Sequence, residues 1–121
     1  MKTLLSLFML AIILNPAFCF ADGNKLLADC GPLVSLLDTQ KADQIDLDTA
    51  QGIGFCMGLM QGILHTSQAF RILCPPPESN NGQYARIVVK YLRDHPEKLH
   101  QRDSLLAFSA LVEAFPCKKT N

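Results

Sequence analysis

Five cysteines are spread along a chain of 121 residues, and their number limits what the chain can fold into. Cys19 lies in an apolar segment at the N-terminus, whereas Cys30, Cys56, Cys74 and Cys117 are distributed over the rest of the chain. An even number of cysteines in a small exported domain is typical of a disulfide framework, because such a domain buries little apolar surface. If the chain is exported and loses Cys19, we therefore expect two disulfides.

Residues 1–21 have the pattern of a secretory signal peptide. Lys2 gives the start a positive charge, the segment Leu4–Leu14 is almost entirely apolar, and Ala21 offers a small residue for cleavage. The apolar run is too short to span a membrane stably. We expect cleavage after Ala21, which removes Cys19. The mature chain is then expected in an oxidising compartment, either the periplasm or the outside of the cell, and of these two we assign it to the periplasm.

The composition excludes several classes of protein. The 11 basic and 11 acidic side chains give a formal net charge of zero, so no basic excess points to a nucleic acid partner. With 49% hydrophobic and 18% charged residues, the chain is not typical of a disordered protein. Its length suits one domain, which we place at residues 22–117, followed by a C-terminal tail at residues 118–121.

The spacing of apolar residues is helical almost throughout, and no run alternates strictly enough to predict a strand. Polar residues before these runs are candidate N-caps. We predict a first helix over Lys25–Leu37 and a second from a cap at Asp48 to about Ala69. A third runs from a cap at Asn80 or Asn81 to His95. A fourth starts from a cap at Asp103, and its predicted core face consists of Leu105, Phe108, Val112 and Phe115. The predicted fold class is all-α, a small bundle of four to five helices cross-linked by two disulfides.

Geometry ranks the three ways of pairing four cysteines. Cys56 and Cys74 are separated by mostly helical chain, about 27 Å at the helical rise, whereas the Cα atoms of a disulfide lie within about 7 Å. If the first two helices form an antiparallel hairpin, Cys30 and Cys56 lie at the same height. If the fourth helix runs parallel to the second, Cys74 and Cys117 meet at their C-terminal ends. The predicted pairs are therefore Cys30–Cys56 and Cys74–Cys117.

The second helix carries glycines at four-residue spacing. Gly54, Gly58 and Gly62 fall on one face of the helix, where each costs about 1 kcal/mol of helix stability relative to alanine. A face without side chains lets another backbone approach closely. Two interpretations follow, namely packing against a neighbouring helix of the same chain, or a surface for a second copy or a partner protein.

Nothing in the sequence predicts catalysis. The cysteines are better used in disulfides than as a thiolate beside an imidazole, and His65, His95 and His100 lack metal-ligand spacing. Glu97 and Glu113 have no surrounding signature of paired catalytic carboxylates. We therefore expect no catalytic residue, no metal site and no cofactor.

A proline-rich segment follows the second helix. Its three prolines restrict the backbone, and a disulfide at Cys74 would hold its base. A rigid exposed loop loses little entropy on binding, which suits insertion into the cleft of a partner. The alternative is a plain connector between helices. The predicted partner-binding loop consists of Pro76, Pro77, Glu78, Ser79, Asn80 and Asn81.

Short motifs from about Gly52 to Cys117 are similar, in order and spacing, to the Tai/Rap family of immunity proteins. These motifs are Gly54-Phe55-Cys56-Met57-Gly58, Cys74-Pro75-Pro76, Gly82-Gln83, Val88-Val89-Lys90-Tyr91-Leu92, His95-Pro96-Glu97-Lys98-Leu99-His100 and Ala114-Phe115-Pro116-Cys117. The resemblance implies an exported, all-helical, disulfide-bonded homodimer. Its partner would be a papain-like peptidoglycan amidase delivered by type VI secretion, which the immunity protein inhibits by covering the catalytic cleft.

The family motifs consist mostly of Cys, Gly, Pro and apolar residues, so they do not identify the residues that contact the effector. We place that contact in the proline-rich loop on physical grounds, with Gln61, His65 and Gln68 on the solvent side of the second helix as a second choice. An alternative function is a periplasmic helical binding module or chaperone that shields exposed apolar segments of other proteins.

Overall fold

The computed structural model describes residues 21–40 and 45–118. Over these residues the chain forms four α-helices: α1 (Gly23–Thr39), α2 (Leu47–Ala69), α3 (Asn81–Asp94) and α4 (Asp103–Ala114). A short 3₁₀ helix over Pro96–Lys98 connects α3 to α4, and the described residues contain no β-strand. The predicted all-α class and the four helices are confirmed.

Helices α1, α2 and α3 begin at side-chain caps, and the starts of α2 and α4 differ from the prediction. The backbone N–H of Gln83 donates to Asn80 Oδ1 at 3.1 Å, so of the two predicted candidates, Asn80 and Asn81, the cap of α3 is Asn80. The predicted cap at Asp48 is wrong, because Asp46 lies two residues earlier in extended backbone and accepts from the Thr49 N–H at 2.8 Å. Asp48 instead lies in the first turn of α2, where its charge favours the positive end of the helix dipole.

The start of α4 differs from the prediction because of a contact with residues that are distant in sequence. Arg102 is extended and pairs with Asp22 in an isolated β-bridge, and the Asp103 N–H donates to the Ala21 carbonyl. Asp103 is therefore the first helical residue rather than the predicted cap. The contact between these two segments also holds the N-terminus of α1 against α4, since the Gly23 N–H donates to the Gln101 carbonyl.

Helix α1 packs against α2 and α3, and α3 packs against α4. Both predicted disulfides are confirmed. Cys30 and Cys56 join α1 to α2 with their Cα atoms 5.3 Å apart, and Cys74 and Cys117 join the segments that follow α2 and α4 at 4.9 Å. The core is one apolar cluster to which every α-helix contributes, for example Leu26, Met60, Val88 and Leu106.

The predicted core face of α4 is wrong in part. Leu105 is 51% exposed, and Phe108 and Val112 are half-buried, whereas the helix buries Leu106, Ala107, Ala110 and Leu111. Phe115, at the end of this helix, is buried as predicted and meets the ring of Tyr84 edge to face, with centroids 5.8 Å apart. Helix α4 is apolar on most of its surface, so apolar spacing does not distinguish the two faces.

The predicted signal peptide, apart from Ala21, lies outside the described residues, as does the predicted tail apart from Lys118. Among the described helices, none combines the length and the apolar character that a membrane span requires.

Candidate functional site

The candidate partner-binding segment, Pro76–Asn81, forms a short turn between α2 and α3, and we call it the proline loop. Helix α2 ends at Ala69, before the prolines, because Arg71 adopts a left-handed backbone with φ of 54°. Within the loop, the Ser79 N–H donates to the Pro76 carbonyl at 3.0 Å. The chain therefore reverses over four residues and starts α3 directly afterwards.

The proline loop is held at both ends. At its first end, Cys74 is bonded to Cys117, and the Cys74 N–H donates to the Phe115 carbonyl at 3.0 Å. At its second end, Asn80 caps α3, and the side-chain carbonyl of Asn81 accepts a hydrogen bond from the Gln61 amide of α2. These contacts restrict the loop before any partner binds.

These contacts divide the predicted loop residues into two groups. Asn80 and Asn81 have side chains engaged in the fold, whereas Pro76, Pro77 and Glu78 are exposed and make no side-chain hydrogen bond among the described residues. Glu78 is the only charged residue of the loop. The tip of the loop therefore offers two rigid apolar rings and one carboxylate to a partner.

Ser79 differs from its neighbours. Its hydroxyl oxygen is buried and has no hydrogen-bond partner among the described residues. A buried polar atom without a partner costs free energy.

The second-choice residues Gln61, His65 and Gln68 lie on one side of α2, because helical residues four and seven positions apart share a face. His65 and Gln68 are exposed, and Gln61 is half-buried at its contact with Asn81. The structure therefore brings this side of α2 next to the proline loop, so the two predicted surfaces are continuous.

The glycine face, which consists of Gly54, Gly58 and Gly62, lies on the solvent side of α2. All three residues are exposed, and a Cβ built on each would have no described atom within 4 Å. Packing against a helix of the same chain is therefore not found among the described residues. The other interpretation, a surface for a second copy or a partner protein, stays a prediction.

A different glycine of α2 makes the close contact inside the chain. A Cβ on Gly52 would lie 2.7 Å from Asp29 Oδ1 and 3.3 Å from Asp29 Cα of α1. Asp29 is 6% exposed and forms an ion pair with Lys25, one turn earlier in α1. The absence of a side chain at Gly52 thus makes room for a buried carboxylate, near the level at which Cys56 joins α2 to α1.

Exposed apolar side chains flank the glycine face on its other side. Phe70 is 74% exposed, Phe55 44% and Ile72 45%. Beside them lies an open groove of about 500 Å³, which we call the apolar groove. No charged residue lines it; its walls are Gly58, Leu59, Gly62, Ile63, Thr66, Ser67, Phe70, Ile72 and Phe108.

Sequence reasoning missed this groove. Phe108, which lines it, was predicted in the core face of α4. One signal was available, because Asp48 is the only Asp, Glu, Lys or Arg in the 23 residues of α2. A helix with so few charges on its solvent side is typical of a surface that another chain covers.

The described residues provide little for catalysis or for metal binding. Their four cysteines are all in disulfides, so none of them offers a thiol. No group of three His, Cys, Asp or Glu side chains in this part of the chain is arranged to hold a metal ion. His95 contacts the Tyr91 carbonyl through Nδ1 at 2.9 Å and stacks on the Tyr91 ring, which is a structural role.

Two carboxylates have a pKa below the usual value of 3.8. The Lys25 N–H lowers the pKa of Asp22, and the Thr49 N–H lowers the pKa of Asp46, because a hydrogen bond from the backbone stabilises the charged form. Both act as helix caps, so the shifts reflect capping rather than a reaction centre.

The fold and these surfaces define a class: a small all-α protein with two disulfides, an exposed rigid loop and an uncovered apolar face. The family of Rap1a immunity proteins matches residues 22–117, so the chain belongs to this family and the resemblance to Tai/Rap immunity proteins is confirmed. No curated protein and no solved structure matches the chain. Membership in this family and the two disulfides indicate an exported immunity protein that binds a secreted effector. Membership also indicates an inhibitor rather than an enzyme.

Proposed function

We propose that this chain is a periplasmic immunity protein that inhibits a peptidoglycan amidase of a type VI secretion system. The amidase is a papain-like cysteine endopeptidase that cuts the stem peptides of the cell wall. The immunity protein binds it with the proline loop and thereby occludes the catalytic cleft. Family membership supports the class of function, and the restrained, exposed proline loop is the observation that carries this mode of inhibition.

The loop suits insertion into a cleft for three reasons. It is narrow, since the turn from Pro76 to Ser79 reverses the chain within four residues. Its tip presents Pro76, Pro77 and Glu78, which are exposed and form no side-chain hydrogen bond or ion pair with the rest of the described chain. Its two ends are held by Cys74 and Asn80, so little conformational entropy is lost when a partner orders it.

Inhibition by occlusion needs no chemistry from the loop. A papain-like enzyme must admit an extended peptide to its cysteine and histidine, and a rigid turn that occupies the cleft excludes that peptide. The neighbouring Gln61, His65 and Gln68 extend the contact along α2. A complex of standard size buries about 1,200–2,000 Å² in total, which requires more than the loop tip alone.

The glycine face is the proposed contact with a second copy in a homodimer. It is uncovered, it belongs to a helix with a single charged residue, and the apolar groove lies beside it. A two-fold axis through such a face lets two copies of α2 approach closely, because no side chain projects from Gly54, Gly58 or Gly62.

The test replaces the loop tip and keeps the fold. In the variant, Pro76-Pro77-Glu78 becomes Gly-Ser-Gly, and Asn80 is retained because it caps α3. We expect at least about tenfold weaker binding, by calorimetry, to the amidase encoded beside the gene for this chain. The helical circular dichroism should not change. Unchanged affinity would remove the proline loop from the mechanism.

A charge variant sharpens this test. Glu78→Lys reverses the only charge of the loop, whereas Glu97→Lys makes the same change in the 3₁₀ helix, beyond the far end of α3. Helix α3 is about 21 Å long, so the control lies well away from the loop. We expect Glu78→Lys alone to weaken binding and to restore peptidoglycan digestion by the amidase.

The apolar groove favours a second candidate function, a binding module or chaperone of the periplasm. Exposed apolar side chains such as Phe70 can bind unfolded segments of many proteins. This candidate predicts suppression of aggregation for several unrelated client proteins, with no preference for an amidase. Tight binding to one amidase and no effect on client aggregation would exclude it.

A further inference from the structure

The two disulfides differ in their access to solvent. Cys30 and Cys56, which form the inner disulfide, are both 0% exposed and lie in the core cluster. Cys74 is exposed and Cys117 is half-buried, and they form the outer disulfide. Because a thiolate must reach a sulfur atom to open a disulfide, only the outer disulfide is accessible in the folded chain.

The outer disulfide also lies at the base of the proline loop. Cys74 precedes Pro75 and Pro76 directly, and Cys117 belongs to the segment after α4. The bond therefore connects the loop to the far end of the chain, across 43 residues. No other covalent link holds the first end of the loop.

Few contacts would hold this end of the loop after reduction. The Cys74 N–H donates to the Phe115 carbonyl, and Leu73 pairs with Pro116 in an isolated bridge. Leu73 itself is 1% exposed and stays in the core. Reduction would thus leave the helices packed while the segment between Cys74 and Ser79 gains freedom.

We propose that the outer disulfide is a thiol-exchange site for a dithiol oxidoreductase, and that its oxidation state sets whether the proline loop is held for binding. The second half of this inference rests on the proposed function of the loop. The first half concerns the reactivity of Cys74 and Cys117 and does not depend on any effector.

The exchange is a two-electron transfer. One thiolate of the oxidoreductase attacks the Sγ atom of the more exposed Cys74, the bond between the two sulfur atoms breaks, and its electron pair leaves on Cys117 Sγ, which takes a proton from water. The second thiol of the partner, as a thiolate, then attacks the partner's own sulfur atom in the mixed disulfide and releases Cys74 as a thiolate, which takes a proton from water. The partner is oxidised to a disulfide, and the outer disulfide is reduced to two thiols.

Limited reduction tests the site. The folded mature chain is treated with increasing dithiothreitol, alkylated and digested, and each cysteine is quantified by mass spectrometry. We expect Cys74 and Cys117 to be labelled at a reductant concentration at least about tenfold lower than Cys30 and Cys56. Simultaneous labelling of all four residues, or labelling of the inner pair first, would overturn the proposal.

A trapping experiment identifies the sulfur that is attacked. Thioredoxin with its resolving cysteine replaced by serine serves as the probe, since it stops at the mixed disulfide. We expect the mixed disulfide at Cys74. A mixed disulfide at Cys30 or Cys56, or no mixed disulfide at all, would contradict an exchange site at the outer disulfide.

The double variant Cys74→Ser, Cys117→Ser tests the effect on the loop. In this variant, the amides of residue 74 and of Ser79 should exchange at least about tenfold faster than in the oxidised chain. Exchange at the Cys56 amide should not change. Affinity for the amidase should fall by a similar factor. Unchanged exchange in the loop would overturn control by the disulfide, whatever the amidase does.

The two readouts separate the proposals. If the loop amides exchange faster but no form of the chain binds the amidase, the proposed function fails while the exchange site stands. If the oxidised chain binds and the double variant binds equally well, the proposed function stands and the redox control is overturned.

Discussion

Helix α2 has two sides with similar residues and opposite surroundings. On the inner side, Cys56 and Met60 are 0% exposed, and Gly52 contacts the buried Asp29. On the outer side, Gly54 and Gly58 face open space, and the apolar groove begins beside them. Both sides combine glycine with apolar side chains, so composition alone does not tell them apart.

The difference shows that the spacing of glycines in a helix does not identify which of them make a close contact within the chain. Gly52 is explained by this chain, because its missing side chain leaves room for Asp29. Gly54, Gly58 and Gly62 carry the usual cost of glycine in a helix without an observed contact in return. The proposed contact with a second copy would account for these three residues.

The largest expected effect contrasts two side chains of α2. Met60→Ala removes a fully buried side chain, and we expect a loss of about 2–5 kcal/mol in the free energy of unfolding. His65→Ala lies on the exposed side, and we expect a change within about 0.5 kcal/mol. Urea denaturation measures both. Similar losses for the two variants would mean that α2 is also buried on its outer side.

The next effect concerns association. Gly58→Glu places a carboxylate in the centre of the glycine face, and burial of an unpaired charge in an interface is costly. We expect self-association to weaken by roughly a hundredfold, measured by sedimentation, with the helical signal retained. Gly31→Glu is the matched control, because Gly31 of α1 also has no described atom near its Cβ position. Equal effects of the two variants would argue against the glycine face as the interface.

A smaller expected effect is that of Gly→Ala substitutions on the free energy of unfolding, which has opposite signs on the two sides of α2. For Gly52→Ala, overpacking against Asp29 costs about 1–3 kcal/mol and the gain in helix propensity is about 1 kcal/mol, so we expect a net loss of stability of up to about 2 kcal/mol. For Gly54→Ala only the gain remains, so the monomer should be more stable by up to about 1 kcal/mol. Chemical denaturation of both variants checks the signs, and stabilisation by Gly52→Ala would contradict the close contact with Asp29.

The smallest effect concerns the start of α2. The Thr49 N–H lowers the pKa of Asp46 from its usual 3.8, so the charged cap stabilises the helix above that pH, and this stability is lost as the pH falls through the lowered value. We expect hydrogen exchange at Thr49 to accelerate, beyond its intrinsic pH dependence, as the pH falls from 5 to 2. Gln83 is the internal control, because its cap Asn80 carries no charge. The same acceleration at both amides would indicate general unfolding.

Much of this fold could be predicted from the sequence, because helical spacing and the reach of a disulfide are strong constraints. They predicted both cysteine pairs, and the polar residues before the third helix limited its cap to Asn80 or Asn81, of which Asn80 is the cap. The errors arose where local signals were ambiguous. Asp46 and Asp48 can both cap a helix, and the start of α4 depends on a contact with Ala21 that is distant in sequence.

The candidate site was predictable to a smaller extent. The proline loop could be located from three adjacent prolines beside Cys74, but the engagement of Asn81 by Gln61 depends on how α2 and α3 pack. The near absence of charge in α2 is a signal for an uncovered apolar face, but the place of Phe108 in the apolar groove could not be predicted, because Phe108 belongs to a helix that is apolar on most of its surface.

Hydrogen exchange of the mature chain, with and without the amidase encoded beside its gene, tests the central claim most directly. Because the proposed function has the proline loop bind the effector, we expect the complex to protect the Ser79 amide and the first turn of α3. We also expect slower exchange near Gln61 on α2. Stable binding that leaves these amides unchanged and protects the 3₁₀ helix over Pro96–Lys98 instead would contradict the account.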